Sequence, residues 1–361
     1  MHVVQIAPPW FPVPPVGYGG IERVVYDLCE GLVAAGHEVT LFAPGDSSTS
    51  ARLVPTVPRG VGLDLPPEER TRLMADASSD AFEAAAELDA DIIHDHTDFI
   101  PDPGFPIPVV RTIHGPAVDY FVRLYRRLTR LGDRFVAISR RQRDLFEEAA
   151  AETFGPGQRI AFVGVVANPV DVAAAPFYPA SAKEGYVAFL GRSHWEKSPD
   201  GAIRVAKAAG VPLKMALRVT AEERPYFNAV VKPLIDRYAP AEFLGEVSGA
   251  AKDELIGRAA ALLFPSPWEE PFGIVLTEAA ARGTPVVSLA RGSAPEIVVH
   301  GVTGVLCVDE EEMARLVPRA MALDPAACRA HAEANYDRDL IARQYVAVYE
   351  QVAAEGRRVS V

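Results

Sequence analysis

The sequence predicts an α/β protein in two domains, and three observations carry that expectation. At 361 residues the chain exceeds one typical domain. Its start reads as a βαβ unit: an apolar run from His2 to Ala7, the loop Pro12-Val-Pro-Pro-Val-Gly-Tyr-Gly-Gly20, a helix from Ile21 to about Ala35, then Val39 to Ala43. The same alternation restarts with the apolar run Tyr186 to Gly191, after Ala173-Ala-Ala-Pro-Phe-Tyr-Pro-Ala-Ser-Ala182, a linker by composition.

Hydrophobic residues make up 49% of the chain, enough for packed cores, and charged residues 23%, ordinary for a water-soluble protein. A net charge of −12 argues against nucleic acid as the main partner. Cys29, Cys307 and Cys328 are odd in number and far apart, with neither disulfide nor zinc spacing, which fits a reducing cytosol. The run Val3 to Ala7 is too short for a signal segment, and no run reaches membrane-spanning length. A soluble, cytoplasmic protein is the expectation.

After the first βαβ unit the chain is proline-rich and reads as irregular up to Pro67, where an acidic helix begins and runs to Leu88. Asp91-Ile-Ile-His-Asp-His96 is a strand ending in polar groups, and alternation puts His94 and His96 on one face. No second cluster completes a coordination set, so they read as pocket lining or internally satisfied histidines rather than metal ligands. Pro108 to Pro116 is a strand running into a glycine turn, so His114 projects from its C-terminal end. Tyr120 to Asp133 has helical spacing, with Phe121, Leu124, Tyr125, Leu128 and Leu131 on one face. Arg123, Arg126, Arg127 and Arg130, then Arg134, Arg140, Arg141 and Arg143, form one basic stretch in an acidic chain. It reads first as a solvated face, and second as a surface for an anionic acceptor or an anionic membrane.

In the second half Arg192 opens the loop after its strand, and Lys197 precedes a helix from Ala202 to Ala209; two cations so placed suit a diphosphate. Leu213 to Leu217 and Ala241 to Gly245 read as strands, Lys252 to Arg258 as a helix. Ala259 to Phe264 is an apolar run stopped by Pro265-Ser266-Pro267, a buried strand and its end. Ile274 to Arg282 has helical spacing, with Gly283 to cap it and Pro285 to bar continuation. Glu270 therefore lies on a strand-to-helix loop, Gly273 lets backbone approach a ligand, and the helix N-terminus behind it suits an anion. A phosphate would repel Glu270 and Glu278, so these carboxylates are better suited to accept hydrogen bonds from hydroxyl groups. Phosphate and hydroxyls in one short segment suggest a sugar nucleotide. Asp339 to Ala354 is an amphipathic helix, with Ile341, Tyr345, Val348, Tyr349 and Val352 near one face.

The string Pro267-Trp-Glu-Glu-Pro-Phe-Gly-Ile-Val-Leu-Thr-Glu278, with Gly283-Thr-Pro-Val-Val287 behind it, resembles the signature of retaining glycosyltransferases of family 4 (group 1), which have the GT-B fold. The resemblance spans nearly the whole chain and is most specific from Gly191 to Gly304. It implies two Rossmann-like α/β domains facing across a cleft, residues 1–172 on the acceptor side and 183–339 on the nucleotide-sugar side. The C-terminal helix, about 340–361, would cross back to the first domain. The resemblance implies that Glu270 and His114 contact the transferred sugar. Gly19, Gly20, Arg192, Lys197, Phe272, Gly273, Ile274 and Val275 would meet the donor diphosphate, Glu278 the ribose, and Val247 and Leu255 the base. This chain departs from the family at Pro169, where glycine is usual, at Ser198-Pro199 after Lys197, and at Arg218-Val219.

The expectation that follows is retaining transfer of a hexose from a nucleotide-diphosphate sugar to a hydroxyl acceptor that the sequence does not identify. UDP-glucose or UDP-N-acetylglucosamine stands ahead of GDP-mannose as donor, and no metal or other cofactor is implied. A nucleotide-sugar epimerase and a noncatalytic sugar-nucleotide-binding protein are the alternatives of another class. The implied location is the cytoplasm, with peripheral contact to the inner face of the membrane through the Arg123–Arg143 region as a second reading.

Overall fold

A computed structural model describes residues 1–99, 105–238 and 240–359, the side chains of 356–359 aside. The chain forms two compact units, residues 1–169 with the segment from Arg338 onward, and residues 170–337. The first runs β1 (His2–Ile6), α1 (Gly20–Ala34), β2 (Glu38–Ala43), β3 (Arg52–Pro55), α2 (Pro67–Ala86), β4 (Ile92–Asp95), β5 (Val109–Ile113), α3 (Asp119–Leu131), β6 (Arg134–Ala137), α4 (Arg140–Phe154) and β7 (Phe162–Val165). The second begins with β8 (Glu184–Arg192), α5 (Pro199–Ala209), β9 (Leu213–Arg218), the short helices α6 (Arg224–Tyr226) and α7 (Lys232–Arg237), and β10 (Ala241–Phe243). It continues with α8 (Gly249–Gly257), β11 (Ala259–Phe264), α9 (Ile274–Ala281), β12 (Val286–Leu289), α10 (Ala294–Ile297), β13 (Gly304–Cys307), α11 (Glu310–Met321) and α12 (Pro325–Tyr336). The chain then returns to the first unit as α13 (Arg338–Val359).

Among the described residues unit 1 has a sheet in the order β3-β2-β1-β4-β5-β6-β7, and unit 2 one in the order β10-β9-β8-β11-β12-β13. Every pairing is parallel, for instance Val3 opposite both Val39 and Ile92, and Leu262 opposite both Val286 and Ala188. Parallel sheets covered by helices on both faces bury their central strands throughout, which is why β11 reads as one unbroken apolar run and all six of its residues are buried. In unit 1, Ile341, Tyr345, Val348, Tyr349 and Val352 of α13 join Val3, Ile92 and Val110 in one core. The other face of that sheet packs Val4, Ile6 and Ile93 against Ala81, Phe82 and Ala85 of α2.

Three expectations need correction. The stretch before Pro67 holds β3, paired with β2 at the sheet edge. Four residues long, ending in Pro55 and not fully buried, it lacks the alternation that marks an internal strand. In α3 the buried face is Val122, Leu124, Tyr125 and Leu128, while Leu131 in the last turn is exposed, because Gly132 turns the chain left-handed just beyond it. The helix expected from Lys252 starts at Gly249, after Ser248. No helix of the described residues is long and apolar enough to cross a membrane.

Candidate functional site

In unit 2 the buried strand β11 delivers the chain to the loop that carries Glu270, and Gly273 turns it into α9 at φ +79°. A second glycine fixes that loop from behind. Gly292 sits at φ +55°, and a Cβ there would lie 2.6 Å from the Glu270 carbonyl oxygen and closer still to its nitrogen. Ser293 follows, its N–H donating to the Glu270 carbonyl at 3.0 Å and its Oγ donating to the Phe272 carbonyl at 2.5 Å. Residues 270–272 are thus held at the backbone before any ligand arrives. Phe272 is buried and meets Tyr336 edge-on, while Ile274 and Val275 are half-buried in the first turn of α9.

The charged side chains are paired among themselves. Lys197 Nζ lies 2.5 Å from Glu270 Oε2 and 5.6 Å from the centre of the Trp268 ring. Arg192, the last residue of β8, meets Glu196 at 3.1 Å and Glu223 at 3.5 Å. Glu278 Oε1 accepts from Lys252 Nζ of α8 at 2.5 Å. Ser266 ties the Lys197 loop to the end of β11, its Oγ donating to the Glu196 carbonyl at 2.7 Å. The structure therefore brings Lys197 and Glu270 into contact, with Glu278 on the helix that follows. Val247 is half-buried, whereas Leu255 is 5% exposed and offers little surface to a base.

In unit 1 Gly19 precedes α1 and Gly20 opens it; a Cβ on Gly19 would fall 2.6 Å from Pro15 Cβ. His114 follows β5, half-buried, with its Nε2 2.9 Å from His96 Nδ1 and the two rings stacked. Burial pushes the His114 pKa down to about 4, so the ring is neutral at pH 7. His94 of β4 and His96, just past its end, are held well below the usual histidine range, again by burial first. Each of their nitrogens has a protein partner. His94 meets the Tyr349 hydroxyl and Thr112 Oγ1, both at 2.7 Å, and His96 meets His114 and, at 3.0 Å, Gln5 Oε1. In the basic stretch Arg123 pairs with Asp119, Arg134 with Glu355, Arg141 with Glu148 and Arg143 with Asp144, so much of its charge is locally offset.

Sequence reasoning did not reach Gly292 and Ser293 behind Glu270, Lys252 beside Glu278, Trp268 under Lys197, or Gln5 and Tyr349 beside the histidines. Trp268 lies within the Glu270 string but carries no local sign of its contact with Lys197, and the others reach the site only through the packing of distant elements.

A family profile described as Glycosyltransferase Family 4 matches residues 18–172, and one described as Glycosyl transferases group 1 matches residues 176–337. The chain belongs to the family 4, group 1 glycosyltransferases. This glycosyltransferase is 28% identical to the glycogen synthase of Mycobacterium tuberculosis, over 90% of its own length and 87% of the relative's. It is 27% identical to the phosphatidyl-myo-inositol mannosyltransferase of Mycolicibacterium smegmatis, over 100% and 96% of the two chains. Among solved structures it resembles AviGT4, a glycosyltransferase involved in avilamycin A biosynthesis, at 28% identity and a TM-score of 0.69 over 98% of both chains. Sucrose-phosphate synthase from Thermosynechococcus elongatus shares the fold, with a TM-score of 0.77 at 20% identity over 98% and 99% of the two chains. The glycosyltransferase is thus of the GT-B class, two parallel-sheet α/β domains in one chain.

Proposed function

We propose that this glycosyltransferase moves a hexose from a UDP-sugar, UDP-glucose or UDP-N-acetylglucosamine, to a hydroxyl acceptor, with retention at the anomeric carbon and without a metal ion. The observation that supports it best is the contact between Lys197 and Glu270 at the head of α9. A donor diphosphate arriving there takes over the ammonium group and the first N–H groups of α9, and Arg192 adds a second cation. Glu270 is then released from Lys197 and can accept hydrogen bonds from the hydroxyls of the sugar. The same exchange at Lys252 frees Glu278 for the ribose. Cations and helix N–H groups aimed at the departing diphosphate stabilise the charge that develops as the glycosidic bond breaks. His114, neutral at pH 7, takes a hydroxyl of the transferred sugar. GDP-mannose is the second donor reading, favoured by the full-length match to a mannosyltransferase.

The test is a thermal-shift titration with UDP, GDP, ADP and NAD in metal-free buffer, on the native chain and on Arg192→Ala and Lys197→Ala. A shift with UDP, weakened about 10- to 100-fold in affinity by Lys197→Ala, is expected. A shift with GDP alone moves the donor to mannose, and a response only to NAD overturns the proposal. The anomeric configuration of the product, read by proton NMR, checks retention, and turnover abolished by a chelator would overturn metal independence.

A further inference from the structure

Strand alternation places Gln5 of β1, His94 of β4 with His96 just beyond it, and Thr112 of β5 with His114 just beyond it on one face of the unit 1 sheet, beside Tyr345 and Tyr349 of α13. Five hydrogen bonds join them in one line. His114 Nε2 meets His96 Nδ1 at 2.9 Å, His96 Nε2 meets Gln5 Oε1 at 3.0 Å, and Gln5 Nε2 donates to the Tyr349 hydroxyl at 3.2 Å. The Tyr349 hydroxyl meets His94 Nδ1, and His94 Nε2 meets Thr112 Oγ1, both at 2.7 Å. Apart from His114, every side chain in the line is buried.

We infer that Gln5, His96 and Tyr349 are positioning residues that hold His114 in a single tautomer, with the proton on Nε2 and a bare Nδ1 offered as acceptor to a hydroxyl group. The direction of each bond follows from the Gln5 amide. Its Oε1 can only accept, so His96 Nε2 carries the proton of that neutral ring. His96 Nδ1 is then bare and can only accept, so His114 Nε2 donates to it. One proton on a neutral ring leaves His114 Nδ1 without one. On the far side the amide Nε2 donates to Tyr349, the Tyr349 hydroxyl proton goes to His94 Nδ1, and His94 Nε2 donates to Thr112. Turning the amide over would reverse every bond from His114 to Thr112 and put the proton on His114 Nδ1. With the amide in its present sense, the Tyr349 hydroxyl accepts from Gln5 Nε2 and is left to donate to His94 Nδ1. A residue of the C-terminal helix thereby belongs to the line that sets whether His114 accepts or donates. With Nδ1 bare, His114 selects a hydroxyl donor, the chemistry of a hexose.

The consequence for sugar rests on the reading of His114 as a sugar contact; the tautomer does not, and it is read without substrate. The experiment is nitrogen-15 NMR of the full chain labelled at histidine, at pH 7, where multiple-bond couplings distinguish the two ring nitrogens. His114 and His96 are both expected to be neutral and protonated on Nε2. Tyr349→Phe removes the acceptor of the amide Nε2 and its link to His94, so the amide can turn and both rings should then show a mixture of tautomers. Tyr345→Phe, one turn earlier on α13, is the control: its hydroxyl meets Thr112 at 2.8 Å beyond the end of the line, so the single tautomer should persist. A proton on His114 Nδ1 in the native chain overturns the inference, as does a Tyr349→Phe spectrum identical to the native one or a Tyr345→Phe spectrum that also becomes mixed. Should Tyr349→Phe lose its cooperative melt, Gln5→Leu takes its place with the same expected mixture. The sugar contact falls separately, if His114→Ala turns over UDP-glucose as fast as the native chain instead of about tenfold more slowly.

Discussion

Unit 1 keeps the polar groups beside His114 uncharged. Gln5, His94, His96, Thr112 and Tyr349 satisfy one another by hydrogen bonds between neutral groups, and burial holds the histidines unprotonated. Of its buried charged groups, Arg111 with Asp95 and Asp133 sit on the opposite face of the sheet, where Arg111 lies over the Phe82 ring. Unit 2 does the reverse around Glu270: Lys197 with Glu270, Lys252 with Glu278 and Arg192 with Glu196 and Glu223 are ion pairs. A neutral network cannot trade partners with an incoming anion, but it can fix the direction of a hydrogen bond. An ion pair at a partly exposed site can be exchanged group for group with a phosphate and a hydroxyl. The two units thus keep direction and exchange apart, and each should fail under a different stress.

Acid is expected to have the largest effect, through the buried histidines of unit 1. The folded pKa of His114 is about 4, and those of His94 and His96 lie well below their ordinary 6.5. As pH falls below 6.5 the unfolded chain takes up protons that the folded chain refuses, so stability is lost from 6.5 down toward 4. Asp98, raised by burial to about 6, and Asp133, also raised by burial, act in the opposite sense and cancel part of this. A net uptake of about one to two protons costs unit 1 roughly 1.4–2.8 kcal/mol per pH unit in that window. In unit 2 Lys183 is held at about 8 and Asp200 below 3.8, so both titrate outside it. Hydrogen exchange at pH 5 and pH 7, corrected for intrinsic rates, should show protection falling in β4 and β5 but holding in β8 and β11. Equal loss in both units would break the comparison.

Gly292→Ala should act on unit 2 alone, with a smaller cost of about 2–3 kcal/mol. The new Cβ meets the Glu270 backbone rather than a flexible side chain, and the residue must hold φ +55°. UDP binding should weaken at least tenfold as Glu270 and Phe272 shift, while the His114 tautomer stays as it was. UDP affinity within twofold of the native chain would show that the loop does not depend on this contact.

How far the sequence reached follows the same division. The apolar runs 2–7, 186–191 and 259–264 marked β1, β8 and β11, because parallel strands with buried middles carry a continuous local signal. Ile341, Tyr345, Val348, Tyr349 and Val352 were legible as the buried face of α13, since helical spacing reports burial. Spacing does not report what a buried hydroxyl bonds to, so Tyr349 read as core and its link to Gln5 and His94 was invisible. Glu270 and Lys197 could each be picked out by local context, yet their mutual contact depends on β8 lying beside β11. Edge strand β3 escaped because half of its residues meet solvent or partners outside any alternation.

The smallest effect, and the sharpest on unit 2, belongs to Glu278→Gln. The side chain keeps its shape and one carbonyl acceptor but no longer pairs as an ion with Lys252, which is itself partly exposed. A pair of that exposure contributes about 0.5–1 kcal/mol, less at high salt, so unit 2 should soften only slightly. Under the role proposed for Glu278, the acceptor offered to the ribose would change from a carboxylate to an amide, and UDP affinity should fall about three- to tenfold. The salt dependence carries the decision. If ion exchange is how unit 2 prepares for its donor, the native chain and Glu278→Gln should differ in UDP affinity at low ionic strength and converge as salt is raised, while the difference between the native chain and Tyr349→Phe should not change with salt. A constant difference across the salt series would mean that Glu278 acts through hydrogen-bond geometry, as the residues beside His114 do, and the two units would then work by the same principle.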